Sequence, residues 1–397
     1  MLLENSSFPD DIRVLREALS LVAFGYQVTV IAPRGRNERW CDVEQAIRIY
    51  RYPTPAGGES GLGYAWEYGV SLFFTFWLTL WVYLRHGFDV IHSHSPPDLY
   101  VLIAACYRPL GVKFVFDHHD ISPEMYVARF PGRGKSWVVK LLTFFEGLSC
   151  KWAHHVITVN ESYKQLVMQR HRVPENKITV VRNGPSFDRL YPVAADAEIR
   201  SRQQTVLGYV GVMGFQDGID SLIRALHQLK TQLGRGDFYC ILVGKGSSLE
   251  YLKRLSRELG LEEHILFTGF VSHEDLLKYL STADICVAPD PYNPFNDRST
   301  MIKVMEYMAL SKPIVAYRLV EHQVTAQQAA LYADVNDELD FARQIQRLMD
   351  DPELRHQMGT WGRRRAEEVL AWDHQEKNLR SVYDGLWRPQ LPAPSPR

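Results

Sequence analysis

The sequence predicts an α/β protein of two domains, each built on a parallel sheet. Three observations predict it. The chain has 397 residues, more than one domain usually takes at roughly 100–200 residues each. From Gln27 onward, short apolar runs at 28–32, 90–92, 114–116, 156–159 and 178–181 alternate with longer helical patterns, as strands of a parallel sheet do. The alternation pauses at Asn183-Gly184-Pro185 and in a polar stretch around 196–204, then restarts at 206–211, 239–243, 265–268, 285–288 and 314–316. The expected division is a first domain at 1–190, a second at 205–370, a closing helical region at 371–388 and a Pro-rich, disordered tail at 389–397. Ligands in such open sheets sit at the carboxyl ends of the strands, and two units in tandem are expected to place those ends across an interdomain cleft.

The start of the chain follows a different pattern. Met1-Leu2-Leu3 has the composition of the last residues of a strand, followed by the polar turn Asn5-Ser6-Ser7 and a helix with Ile12, Leu15, Leu19 and Val22 as its apolar positions. A strand of about five residues is the norm, so the expectation is a first strand shortened by a few residues, with a short edge strand as the alternative.

Composition excludes several classes. Hydrophobic residues make up 46% and charged residues 23%, which excludes disorder. Lys and Arg number 45 against 46 Asp and Glu, so no global field is present to hold a nucleic acid. The cysteines at 41, 106, 150, 240 and 286 form no CxxC pair, which suits a reducing cytoplasm better than a disulfide framework or a zinc site. No secretory signal pattern opens the chain, so a cytoplasmic location is expected.

Two segments raise the question of a membrane. Residues 68–84 are seventeen consecutive uncharged positions, seven of them aromatic, just short of a spanning helix. Such a helix is either buried in a large domain or laid against lipid. Residues 129–152 interleave Arg129, Arg133, Lys135, Lys140 and Lys151 with Trp137, Phe144, Phe145 and Trp152, as interfacial helices on anionic lipid do, although a solvated amphipathic helix looks similar. Peripheral attachment through the N-terminal half is the expectation.

The candidate chemistry lies at strand ends. Gly208 to Gly214, with Asp217-Gly218, forms a glycine-rich turn between strand and helix, and Val243-Gly244-Lys245-Gly246-Ser247 repeats the pattern. Gly211, Gly214, Gly244 and Lys245 are therefore candidate phosphate-binding positions, although glycine also ends strands for conformational reasons. Asp297-Arg298-Ser299-Thr300 reads as the cap of a helix running to Leu310, whose free N–H groups suit a diphosphate. Glu306 follows on the same face as Lys303, where its carboxylate is either an acceptor for ribose hydroxyls or an ordinary solvated glutamate. In the first half, His92, His94 and Asp98 follow one strand and Asp117-His118-His119-Asp120 another, so imidazoles and carboxylates converge on one edge. Their spacing is not diagnostic of a metal site, and no GxSxG elbow supports a hydrolase.

These residues together resemble the retaining nucleotide-sugar glycosyltransferases of the two-domain GT-B type, glycosyltransferase family 4, over almost the whole chain. The resemblance rests on Phe8 to Val14, Glu17-Ala18, Gly25 to Val30, His119-Asp120-Ile121-Ser122-Pro123-Glu124, Ile157-Thr158-Val159 and Arg182-Asn183-Gly184. The second half adds Val210-Gly211 to Gly218, Thr268 to Val271, Ala283-Asp284, Met305 to Ala309 and Lys312 to Ala316. It implies two Rossmann-like domains facing across a cleft, with the region Asp373 to Leu386 crossing back onto the first. It also implies sugar transfer with retention from a nucleoside diphosphate donor, UDP by default, without a metal or other cofactor. Glu306 matches the second Glu of the family's paired-Glu motif, which holds the donor ribose. His119 matches the histidine near the transferred sugar, with Asp120 beside it, and Gly269 to Ser272, including Phe270 and Val271, match the segment lining the base. His94 and Asp98 fall on the acceptor side.

Two departures stand out. The position of the first Glu is Arg298, with Asp297 beside it, and the Arg and Lys that usually neutralise the leaving diphosphate are Val212 and Asp217. The leaving charge still needs stabilising, so Lys303, Arg298 and Lys245, with the helix start at Ser299-Thr300, are expected to substitute. The expected function is a membrane-peripheral glycosyltransferase acting on a glycan or polyprenyl-linked glycan precursor in cell-surface polysaccharide synthesis. A nucleotide-sugar 2-epimerase of the same fold, or an inactive binding module, are the alternatives.

Overall fold

The computed structural model describes residues 1–4, 6–35, 38–54, 61–130, 132, 134–202 and 204–387, without the side chains at 61, 62, 64 and 65. Asn5, Arg133 and the tail at 389–397, named above, lie outside the described residues. The chain forms two compact units, Met1–Arg182 with the chain from Gln375 on, and Asn183–His374.

The first unit carries β1 (Thr29–Pro33), β2 (Cys41–Glu44), β3 (Ile47–Tyr52), β4 (Val90–His94), β5 (Lys113–His118), β6 (His155–Thr158) and β7 (Ile178–Val180). Its helices are α1 (Ile12–Ala23), α2 (Gly61–His86), α3 (Val101–Tyr107), α4 (Ser122–Arg129), α5 (Ser136–Trp152) and α6 (Glu161–His171). Strands pair in the orders β2-β3-β1 and β4-β5-β6-β7, parallel except for β2. Leu2 joins the two sets, bridging Ile31 on one side and Ser93 on the other. Its N–H donates to the His92 carbonyl at 2.8 Å, Leu3 N–H donates to Ile31 at 3.0 Å, and the Met1 ammonium donates to Thr29 O at 2.7 Å. The short opening strand therefore lies at the middle of the sheet and not at an edge. Right-handed crossovers put α2, α3, α5 and α6 on one side of that sheet.

The second unit carries α7 (Ala197–Arg200), β8 (Thr205–Val210), α8 (Ile219–Thr231), β9 (Phe238–Val243), α9 (Leu249–Glu258), β10 (Ile265–Gly269), α10 (His273–Thr282) and β11 (Ile285–Ala288). It continues with α11 (Ile302–Ala309), β12 (Ile314–Tyr317), α12 (Val320–Ala326), β13 (Ala330–Ala333), α13 (Glu338–Asp350) and α14 (Pro352–Arg365). Its six strands run parallel in the order β10-β9-β8-β11-β12-β13. Alternate residues feed opposite faces, as the pleat requires. Leu207, Tyr209, Cys240, Leu242, Ile285 and Val287 pack under α8 and α13, while Val206, Ile241, Val243, Cys286 and Ala288 pack under α10 and α11.

The polar stretch before β8 belongs to this second unit. Leu190 and Ile199 enter its core beside Val206 and Leu277. Val193 N–H and Asp196 N–H donate to Ser281 Oγ at 3.0 Å and Thr282 Oγ1 at 2.7 Å. Units thus divide at Arg182/Asn183, where the hydrophobic pattern first pauses and ahead of the expected end of the first domain at 190, because the polar segment that follows is anchored to the second unit through backbone donors. The last helix, α15 (Trp372–Gly385), gives its residues from Gln375 on to the first unit. There Glu376 accepts from Ser20 Oγ at 3.0 Å, and the Tyr383 hydroxyl meets His92 Nδ1 at 2.8 Å. Among the described residues no helix is long and apolar enough to cross a membrane.

Candidate active site

In the second unit Gly211, Gly214, Gly244, Lys245, Phe270 and Val271 lie in the turns after β8, β9 and β10, at the carboxyl edge of the sheet. The turns after β8, β9 and β10 are laced by backbone bonds. Gly211 N–H donates to Val243 O at 3.1 Å, Met213 N–H to Lys245 O at 3.1 Å, and Gly244 N–H to Gly269 O at 3.0 Å. This lacing is what demands glycine. A Cβ on Gly244, at φ +139°, would sit 1.9 Å from the Gly211 carbonyl oxygen, and one on Gly218 would sit 2.1 Å from that of Pro289. Gly214 donates its N–H to Asp217 Oδ2 at 3.0 Å, so the carboxylate standing where the family carries a basic residue caps its own turn. Beyond the turns, Lys245 and Phe270 are exposed, with the ammonium 5.0 Å from the ring centroid, and Val271 is half-buried beside them.

The helix after β11 differs from its reading in the sequence. Its N-cap is Met301, without a side-chain cap, and Arg298 belongs to a separate turn at Asn296–Arg298. The Ser299 hydroxyl donates to Phe295 O at 2.7 Å and the Thr300 hydroxyl to Glu321 Oε2 at 3.1 Å. Lys303 also departs from expectation. It is buried, with Nζ 2.6 Å from Asp290 Oδ1 and 4.8 Å from the Tyr209 ring centroid. Burial alone would raise the Asp290 pKa, but Lys303 and the His322 imidazole, 3.5 Å away, outweigh it and hold the carboxyl below its usual range. Burial alone would lower the Lys303 pKa, and Asp290 outweighs it in turn. The ammonium is therefore engaged inside the domain. Glu306 lies one turn further along α11 and is half-buried.

In the first unit, β4 and β5 run side by side with His94 opposite Asp117. One buried carboxylate oxygen, Asp117 Oδ2, lies 3.1 Å from His119 Nε2, 3.3 Å from His94 Nδ1 and 3.4 Å from His92 Nε2. Against burial, these imidazoles hold the Asp117 pKa well below its usual range. Burial and the facing Asp117 charge push that of Glu17 well up, so Asp117 keeps the charge and Glu17 the proton. Burial drives the His94 pKa down to about 3, which leaves the ring neutral. Glu17, His94, Asp117 and His119 each offer an atom within 4.8 Å of the others, a donor set suited to a divalent metal. His94 Nδ1 and His119 Nε2 also lie within hydrogen-bond distance of each other, at 3.1 Å. Ser95 Oγ accepts from the His119 and Asp120 N–H groups at 2.9 and 3.3 Å, fixing that turn. Glu17 enters the sequence reading only through the resemblance and without a role, although it occupies the i+3 position of the buried stripe Val14, Ala18 and Leu21.

Asp98, placed on the acceptor side, is buried in a neighbouring cluster with His118 and Glu146. Burial pushes its pKa up to about 7; Glu146 and Asp120 add to the shift, and His118 and Ser122 oppose it. Unfolded, the carboxyl loses its proton near pH 4, and folded it does so only near 7. Between those values the folded state holds one more proton, so raising the pH favours unfolding, by up to about 1.4 kcal/mol per pH unit. Asp98→Asn is expected to flatten this slope relative to the parent. Urea midpoints at pH 5 and pH 7.5 measure it, and parallel slopes in the two proteins would refute the assignment.

Comparisons with known proteins give the family and the fold. Residues 161–365 match the family model of glycosyl transferases group 1, and residues 12–184 match that of a glycosyl transferase 4-like domain. The chain is 29% identical over 347 residues to the alpha-D-kanosaminyltransferase of Streptomyces kanamyceticus, covering 79% of this chain and 81% of that one. It is 27% identical over 259 residues to an uncharacterized glycosyltransferase of Methanocaldococcus jannaschii, covering 62% of this chain and 63% of that one, under two thirds of the relative's length. Among solved structures it is similar to a sucrose-phosphate synthase from Thermosynechococcus elongatus, with a TM-score of 0.79 at 21% identity over 96% of this chain and 94% of that one. The Anabaena HepE protein, solved with UDP-glucose, gives 0.70 at 16% identity over 97% and 98%. The chain belongs to the group 1 glycosyl transferases and is a family 4-type glycosyltransferase of the GT-B fold.

Proposed function

We propose that the protein transfers one sugar from a UDP-sugar to a glycan acceptor carried on a polyprenyl lipid, with retention at the anomeric carbon and without a metal or other cofactor. It works at the inner face of the cytoplasmic membrane in cell-surface polysaccharide synthesis. The observation that carries the donor half is the lie of Gly211, Gly214, Gly244, Lys245 and Phe270 in the turns after β8, β9 and β10, at the carboxyl edge of one parallel sheet, where open α/β sheets bind ligands. Phe270 offers a face for the base, Lys245 a charge for the diphosphate, and Glu306 a carboxylate for the ribose hydroxyls. HepE, of the same fold, is bound to UDP-glucose, which favours the same nucleotide here. In the first unit His119 is the group assigned to the transferred sugar, with Asp120 beside it. His94 acts through the Asp117 cluster.

The test is UDP release from a panel of nucleotide sugars, with and without a polyprenyl lipid extract, for the parent beside Glu306→Ala. Losing charge-assisted bonds to the ribose, worth about 1.5–3 kcal/mol each, is expected to raise KM for the donor by roughly 10- to 100-fold. Unchanged kinetics in the variant would remove the ribose role. Donor turnover that ignores every acceptor would replace transfer by epimerisation.

A further inference from the structure

Two helices on one side of the first unit, α2 and α5, are turned inside out. Along α2 the buried stripe is Ser71, Thr75, Thr79 and Val82, and the outward stripe is Phe73, Trp77, Trp81 and Leu84, which are 59, 53, 45 and 77% exposed. The hydroxyls have a use inside: Ser71 Oγ lies 2.8 Å from both the Tyr52 and the Tyr100 hydroxyl. The same inversion holds in α5. Glu146, Gly147, Ser149 and Cys150 face inward, while Trp137, Leu141, Phe144 and Trp152 face out. Between them α3 adds the exposed Leu102. Its Tyr107 ring packs 5.3 Å from that of Tyr83, and the Arg108 guanidinium that follows sits 5.4 Å from the Trp152 ring centroid. All three helices lie on the same side of the sheet, so their outward stripes share one face.

A water-soluble helix puts its apolar stripe on the sheet and its polar stripe outside. Here large rings cover the outside, well beyond the scattered exposed hydrophobics of an ordinary surface. The charge on this face chooses among occupants. Arg85, Arg108, Lys140 and Lys151 are exposed around the rings. The acidic residues of the three helices are Glu67, half-buried, and Glu146, buried and bonded to His118, His171 and Arg170. Tryptophan with surrounding Lys and Arg is the composition that settles at a lipid headgroup boundary.

We propose that the face formed by α2, α3 and α5 docks the protein on an anionic lipid bilayer, with α2 and α5 lying in the interfacial plane. This deepens the membrane-peripheral part of the proposed function, yet it stands or falls separately from the sugar-transfer reading. Insertion of the rings to about 5–10 Å, with basic residues at headgroup level, is the expected geometry.

The test is co-sedimentation of the full chain with vesicles of equimolar phosphatidylglycerol and phosphatidylethanolamine, and with phosphatidylcholine vesicles. UDP binding is measured on the same samples. The parent is expected to bind the anionic vesicles at least tenfold more tightly than the zwitterionic ones. Trp77→Ser combined with Trp137→Ser and Phe144→Ser should weaken that binding tenfold or more. Lys140→Glu with Lys151→Glu should abolish the preference for anionic lipid. Both sets change exposed side chains, so thermal midpoint and UDP affinity should hold. Absence of vesicle binding by the parent, or serine variants that bind as well as it does, would overturn the proposal. So would a parent dimer that the serine variants convert to monomer, since the face would then belong to a second copy. Vesicle binding without UDP binding would retain the docking face and remove the donor assignment.

Discussion

Lys303→Met is expected to lower the unfolding free energy by about 3–5 kcal/mol, because it leaves the Asp290 carboxylate buried without its cation. Asp290 is buried at the carboxyl end of β11, and its remaining imidazole contact is His322 at 3.5 Å. A drop of this size would also reduce turnover in any assay, so activity alone cannot assign Lys303 a catalytic role. The double substitution Lys303→Met with Asp290→Asn separates the two effects. Removing both charges should restore most of the lost stability, since a neutral amide costs far less to bury than a carboxylate. If Lys303 serves only the fold, turnover returns along with stability. If it also stabilises the departing diphosphate, turnover stays low in a well-folded protein. Urea unfolding of the parent, both single variants and the double variant gives the coupling energy. A Lys303→Met protein within 1 kcal/mol of the parent would show that the pair carries little of the fold.

Gly244→Ala is expected to destabilise by roughly 3–5 kcal/mol, combining overpacking with a backbone conformation that L-residues avoid. The added methyl would meet the Gly211 carbonyl oxygen at 1.9 Å, and both atoms belong to turns tied to strand ends. Gly260→Ala serves as the control. Gly260 has φ +66° and nothing within 4 Å of its Cβ position, so it isolates the backbone cost, about 1–2 kcal/mol. Calorimetry of the two variants should rank them in that order. Equal losses would mean that the lacing of the turns gives way easily, and that glycine there serves ligand approach instead.

All ten strands expected from the sequence coincide with observed ones, because each contains a short apolar run, whereas β2, β3 and β13 were not expected. The helix at 68–84 was legible as a helix but not in its orientation. A segment apolar all round carries no dipole of hydrophobicity to aim it, and only the hydroxyls of Ser71, Thr75 and Thr79 mark the inward side. The glycine turns were found for a reason the structure supplements, since backbone crowding by itself demands Gly244 and Gly218. The pair of Lys303 with Asp290 joins residues thirteen positions apart across a loop, a distance at which periodicity is silent. Lys303 was expected to face the leaving diphosphate, and Glu17 entered only through the resemblance, without a role. Glu17 nonetheless sits at a core spacing, which is the one signal that was there to use.

The first unit is made of two stretches of chain, with the whole second unit synthesised between them. A ribosome emits residues in order, so the opening sheet emerges long before Tyr383 arrives to meet His92 and Tyr26. During that interval the nascent first unit lacks one of its helices and exposes the surface that helix later covers. The second unit, continuous in sequence from 183 to 374, has every residue it needs as soon as it clears the exit tunnel. Order of synthesis and order of completion are therefore reversed, and the half of the protein made first is the last to be finished.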